Sequence, residues 1–67
     1  SLDLAQLKLV NLEGHPFDMG MAVTPLNIGD FDPDDVLVVD QMMEPILMGP
    51  DGLVKAGTIL LKRAHPI

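Results

Sequence analysis

Apolar and polar positions alternate most regularly from Phe17 to Thr24. Phe17, Met19, Met21 and Val23 fall on one side, and Asp18, Gly20, Ala22 and Thr24 on the other. A period of two predicts a half-buried strand there. Gly20 and Ala22 would leave its second face nearly bare, open to another backbone. Val36-Leu37-Val38-Val39 is a β-rich run that Asp40 and Gln41 are expected to end. Met42 to Met48 is interrupted by Pro45, which cannot donate to a ladder, so this piece predicts an edge strand or a kink. Thr58 to Lys62 predicts a final strand.

Ile46 to Leu61, ILMGPDGLVKAGTILL, holds three short apolar pieces separated by two turns and predicts a β-meander. In Gly49-Pro50-Asp51-Gly52, proline presets φ for a type I turn and aspartate suits the next position. Gly52 can then take positive φ and close a bulged hairpin. Lys55-Ala56-Gly57-Thr58 offers a second reversal, with Gly57 as the residue that reaches positive φ cheaply.

The remaining segments are less regular. In Ser1 to Leu12, Leu4, Leu7, Val10 and Leu12 approximate a helical stripe, whereas Leu7 and Leu9 around Lys8 fit a strand. The shortness of the segment and Asn11 favour an extended arm or edge strand, with the helix as the alternative. Glu13-Gly14-His15-Pro16 reads as a turn or loop. Asp32-Pro33-Asp34-Asp35 matches a helix start, with Asp32 as cap and Pro33 at the first position, and predicts one short helical turn. The fold class is therefore mainly β: a small meander or β-clip-like domain with an extended N-terminal arm and at most one short helical turn. Residues 1–14 form the arm or edge strand and residues 15–67 the β-rich domain.

Length changes this picture. A chain of 67 residues buries only about 60% of the surface exposed by its unfolded form, and small domains add disulfides, metals or oligomerisation. Cysteine is absent while 48% of the residues are hydrophobic. Part of that apolar surface is expected to meet another chain, a second copy or a larger partner. The core alternative is a well-filled aliphatic interior.

Net charge is −6, and all ten acidic residues lie at or before Asp51. The last sixteen residues carry Lys55, Lys62 and Arg63 and no acid. Such polarity would orient the protein against a neighbour or join copies head to tail, unless it is simply a solvated face. Four basic residues and two aromatics, Phe17 and Phe31, argue against a nucleic-acid partner, which needs clustered cations or a stacking platform. No apolar run approaches the roughly 18 residues that span a bilayer, so no membrane partner is expected. The first residues lack a basic region followed by an apolar stretch. Ser1 reads either as the residue after a removed initiator methionine or as a proteolytic cut. Virion or cytoplasmic residence fits the lack of cysteine.

Candidate chemistry is sparse. Asp30, Asp32 and Asp34 stand at alternate positions like the start of a calcium loop. Asp35 then replaces the required glycine, Gln41 the bidentate glutamate, and Pro33 stiffens the middle. A helix cap and solvated loop is the favoured account, with a weak cation site as the alternative. His15 and His65 each precede a proline and share no metal-ligand spacing. Ser1 is the sole serine, and so short a chain does not easily enclose a substrate pocket. No catalytic residue, metal site or cofactor is assigned, and an enzyme is not expected. Met19, Met21, Met42, Met43 and Met48 fill core gaps or line an adaptable surface. On a strand, Met42 and Met43 must point to opposite sides, so at least one is expected to face a partner. The partner-binding candidates are Leu4, Leu7, Leu9, Met21, Met42 and Met43.

The run DDVLVVDQMMEPILMGPDGLVKAGTILL, preceded by an extended arm, resembles the small β-rich head-decoration (cement) proteins of tailed phages. These alternate short strands with a glycine-containing reversal like Val54-Lys55-Ala56-Gly57-Thr58. The resemblance implies trimers or similar clusters that grip a capsid lattice through the arm, without catalysis. Val23-Thr24-Pro25 and Gly57-Thr58 are in turn similar to antifreeze-like and SAF-type β-clip domains, which implies a shape. Ice binding wants a flat threonine and alanine surface, which Thr24 and Thr58 alone do not supply.

The expected function is a non-enzymatic structural or assembly protein that binds a larger protein surface or itself, with homo-oligomers favoured. Virion head decoration is its most concrete form. The alternatives are an accessory subunit of an enzyme complex and an acidic inhibitor that mimics nucleic acid.

Overall fold

The computed structural model describes residues 6–65. It is mainly β, with one short helical turn. The strands are β1 (Lys8–Val10), β2 (Val23–Pro25), β3 (Leu37–Glu44), β4 (Ile46–Gly49), β5 (Gly52–Lys55) and β6 (Gly57–Arg63); a 3-10 turn spans Ile28–Asp30. They form two three-stranded sheets, ordered β1-β4-β5 and β2-β6-β3.

A single long hairpin underlies both sheets. β4 pairs antiparallel with β5, and β3 pairs antiparallel with β6. Glu44 faces Thr58 on one side of the junction and Leu47 faces Lys55 on the other, so the register does not shift across the junction itself. Pro45 on one arm and Ala56 on the other belong to no strand, and there the ribbon passes from one sheet to the other. The missing proline N–H explains the break. An extended arm from Leu37 to Gly49 at about 3.3 Å per residue spans roughly 40 Å, and the longest dimension of the molecule is 47 Å.

Pro50-Asp51 turns the ribbon, and Gly52 follows at φ 120°, the positive φ its position demanded. The meander predicted for Ile46 to Leu61 stops after two strands. The third piece, β6, leaves β5 and continues the ribbon into the other sheet, as its central strand. Gly57 has no positive φ. It is buried where the backbone carbonyl of Glu44 and the side chains of Met42 and Ile46 crowd it.

The core lies on one face of β3 and β6. Val39 and Ile59 are fully buried, and Leu37 and Leu61 nearly so. Leu12, Phe17, Met21, Val23, Phe31 and Met42 pack around them. Asp40 and Gln41 do not end the strand. The register shifts between Val39 and Gln41 and again between Met42 and Glu44. These are bulges, in which one extra residue re-aims those that follow. Three positions apart, Val39 and Met42 would face opposite ways in a regular strand. The first bulge puts both on the core side, opposite Leu61 and Ile59.

Earlier parts of the chain cover one outer edge of the ribbon along β4 and β3, and the other along β6 but not along β5. β1 pairs antiparallel with β4, which makes Lys8–Val10 an edge strand. The segment after it follows β3. The Gly14 amide donates to the Val39 carbonyl at 2.8 Å, the Val39 amide to the His15 carbonyl at 2.9 Å, and the Phe17 amide to the Leu37 carbonyl at 2.9 Å. The Glu13 carboxylate accepts from the Met42 amide at the second bulge, at 3.2 Å. On the opposite edge β2 runs parallel to β6. Where β2 ends, the Asn27 side chain takes over. Its Oδ1 accepts from the Leu61 amide at 2.8 Å and its Nδ2 donates to the Leu61 carbonyl at 3.0 Å.

Two local expectations are corrected. The alternating segment from Phe17 onward becomes a strand only at Val23. Before that, the Asp18 side chain accepts from the Gly20 amide at 3.1 Å and its carbonyl from the Met21 amide at 3.0 Å. Side-chain turn chemistry of Asp18 thus overrides the period-two pattern. Asp32-Pro33-Asp34-Asp35 is a β-turn rather than a helical one. The Asp35 amide donates to the Asp32 carbonyl at 3.0 Å, and the Asp35 carboxylate accepts from the Asp32 amide at 2.9 Å. The helical turn lies earlier, at Ile28–Asp30.

Candidate protein-binding surface

Sheet β1-β4-β5 is the distal half of the ribbon, and it lacks a second layer among the described residues. Residues directly opposite each other on paired strands share a face. Leu9 and Leu47 form one such pair. On the other face Met48 stands between Lys8 on β1 and Leu53 on β5. Both faces are therefore rich in apolar side chains. Leu9 is 70% exposed, Leu53 52% and Val54 47%. Only Ile46, beside the junction, is buried there.

The free edge of β5 adds to this surface. β1 closes the β4 side of the sheet, while β2 and Asn27 cover only β6 on the other side. Gly52 to Lys55 thus presents an outer edge that no described strand pairs. Unpaired N–H and C=O groups on such an edge are a template for another strand. One feature blunts it: the register shift between Leu47 and Met48 makes Val54 the extra residue of a bulge.

The residues singled out from the sequence are spread over the molecule. Leu7 is half-buried just before β1, and Leu9 stands exposed within β1. Met21 and Met42 both pack against the core. The Met21 sulfur also accepts from the Asp18 amide at 3.1 Å. Met43, the extra residue of the second bulge, is 53% exposed. Leu4 lies outside the described residues. Leu47, Leu53 and Val54 were not singled out, although all three occur in the segment read as strands. The overlooked signal was that so short a hairpin has no room for a core of its own.

Charge is interleaved in space, although segregated along the chain. Lys55 Nζ lies 3.1 Å from Glu44, Lys62 Nζ 3.7 Å from Asp40, and Arg63 Nε 3.3 Å from Asp35. Each cation of the last sixteen residues thus meets an acid from earlier in the chain. The Glu44 carboxyl is held below its ordinary value of 4.5 by the hydrogen bond from Lys55, then by the Lys55 charge and the Thr58 hydroxyl. Among the described residues no polar or charged side chain is buried, and no three of His, Asp and Glu gather in a way that would hold a metal ion. Among the described residues no helix is long and apolar enough to cross a membrane. No protein-family model, no curated protein and no solved structure matches this chain.

Proposed function

We propose that this protein is a non-enzymatic assembly module that associates through sheet β1-β4-β5. The observation that carries this reading is an apolar three-stranded sheet that no second layer covers among the described residues, bordered by the edge of β5 that no described strand pairs. Exposed apolar patches of this kind mark interaction sites, and strand addition to an open edge supplies backbone hydrogen bonds together with side-chain pockets.

Self-association is the form favoured by this geometry, because two copies can bring their β5 edges together across a two-fold axis. Decoration of a virion head, by clusters that hold a capsid surface, is its most concrete setting. Sedimentation equilibrium is the test. The protein should associate at micromolar concentration, with little response to salt because the contact is apolar. Leu9→Asp with Leu53→Asp should give a folded monomer, since both positions are exposed and the core lies on the other sheet. A wild-type protein that stays monomeric at high micromolar concentration would overturn the reading. Association that persists in the double variant but collapses at high salt would move it to the carboxylates, as an acidic mimic requires.

A further inference from the structure

The second sheet carries a separate concavity. Phe17, Ile28, Phe31, Pro33 and Leu37 are among the residues that line an open groove of about 650 Å3. Asp18, Asp32 and Asp35 line it as well, and no lysine, arginine or histidine does. Asp18 accepts a hydrogen bond from the Gly20 amide, but no cation among the described residues pairs with Asp18 or Asp32. Two of the lining residues, Phe31 and Asp35, already hold a cation. The Arg63 guanidinium stands 5.5 Å from the centre of the Phe31 ring while its Nε lies 3.3 Å from the Asp35 carboxylate.

We propose that this groove binds a segment of a partner protein that carries arginine or lysine beside an aliphatic or aromatic side chain. Charge complementarity selects this occupant. An apolar segment without a cation would desolvate the carboxylates and leave them unpaired, and an acidic or phosphorylated one would be repelled. A basic segment pairs with Asp18 and Asp32, and its apolar neighbour enters between Phe17 and Phe31. A cation can also lie against the Phe17 ring, as Arg63 lies against Phe31. The inference stands apart from association through β1-β4-β5, because that sheet contributes nothing to the groove.

The probe is the peptide Ac-Ile-Arg-Phe-Arg-NH2, titrated into the 15N-labelled full chain, with Ac-Ile-Glu-Phe-Glu-NH2 as its counterpart. Saturable shifts are expected at Phe17, Phe31, Val36 and Leu37 with the basic peptide only, and they should weaken as salt rises. Asp32→Asn should reduce affinity about three- to tenfold, as loss of one partner charge does. This side chain is exposed and takes no part in the turn, so the variant should fold. Leu9→Asp should leave the affinity unchanged, which separates this site from the assembly surface. Equal binding of both peptides, shifts centred on β1 or β5, absence of saturable shifts, or an Asp32→Asn variant that binds like wild type would each overturn the proposal.

Discussion

The carbonyl oxygen of Glu44 lies 2.8 Å from the point where a Cβ on Gly57 would stand. The Met42 Cε and Ile46 Cγ1 atoms lie 3.0 and 3.1 Å from the same point. Here the two arms of the ribbon approach closely, just where it passes between sheets. Glycine in a strand ordinarily costs stability relative to alanine. At this position the order reverses, because the first obstacle is backbone and cannot rotate away.

Gly57→Ala should therefore destabilise the fold by about 1–3 kcal/mol, the usual range for overpacking. Gly20→Ala provides the contrast. Its nearest neighbour would be the Asp18 carboxylate at 3.7 Å, an ordinary contact, and its φ is not positive. It should be neutral or stabilise by about 0.4–1 kcal/mol through the unfolded chain. Urea unfolding midpoints of the two variants should move in opposite directions, or only the first should move.

Asn27 carries the second prediction. Its amide bonds both backbone groups of Leu61, which is 3% exposed, and so extends the edge that β2 leaves unfinished. Asn27→Ala should cost about 2–4 kcal/mol, since two sheltered backbone groups lose their partners. Asn27→Asp should also destabilise, because the carboxylate keeps the acceptor but would face the Leu61 carbonyl. Amide hydrogen exchange at Leu61 should accelerate in both variants. Unchanged protection there would show that water replaces the side chain without loss.

The third prediction concerns acid. Glu44 titrates below 4.5 in the folded protein because Lys55 and Thr58 favour its charged form. A carboxyl with a depressed folded value contributes stability that is fully present above the unfolded value. That contribution is lost as pH falls through the folded value. Glu44→Gln should thus be less stable than the wild type by a constant amount above about pH 4.5, and the gap should close at lower pH. Lys55→Met should remove most of this pH-dependent difference. Chemical denaturation across the acid range would reveal a gap that fails to close.

The turn at Pro50-Asp51, the break at Pro45 and the closing strand near Thr58 were all legible in the sequence. Each depends on the backbone chemistry of one or two local residues. The sheet assignment of β6 was not legible, because whether a strand reverses or runs on after Ala56 depends on pairing with distant β3. The two bulges concealed the alternation through DQMME, whose polar residues read as a strand end. Around Asp18 the pattern misled for a different reason: a side-chain turn and a strand place the same hydrophobic residues two apart. The groove was likewise invisible, since Phe17 and Phe31 are brought together only by the loops flanking β3.

Because the pairing runs on from the tip through three bulges to the far end of the ribbon, the turn at the tip also bears on what lies inside at that far end. Slipping a strand by one residue exchanges its two faces. Such a slip at Pro50-Asp51, carried unchanged through the bulges, would turn Ile59 and Leu61 outward and bring Leu60 and Lys62 against Val39. The positive φ of Gly52 therefore acts at a distance from its own neighbourhood. It works as a setting for the whole interior, held on the exposed tip and read out where the chain is most protected from water.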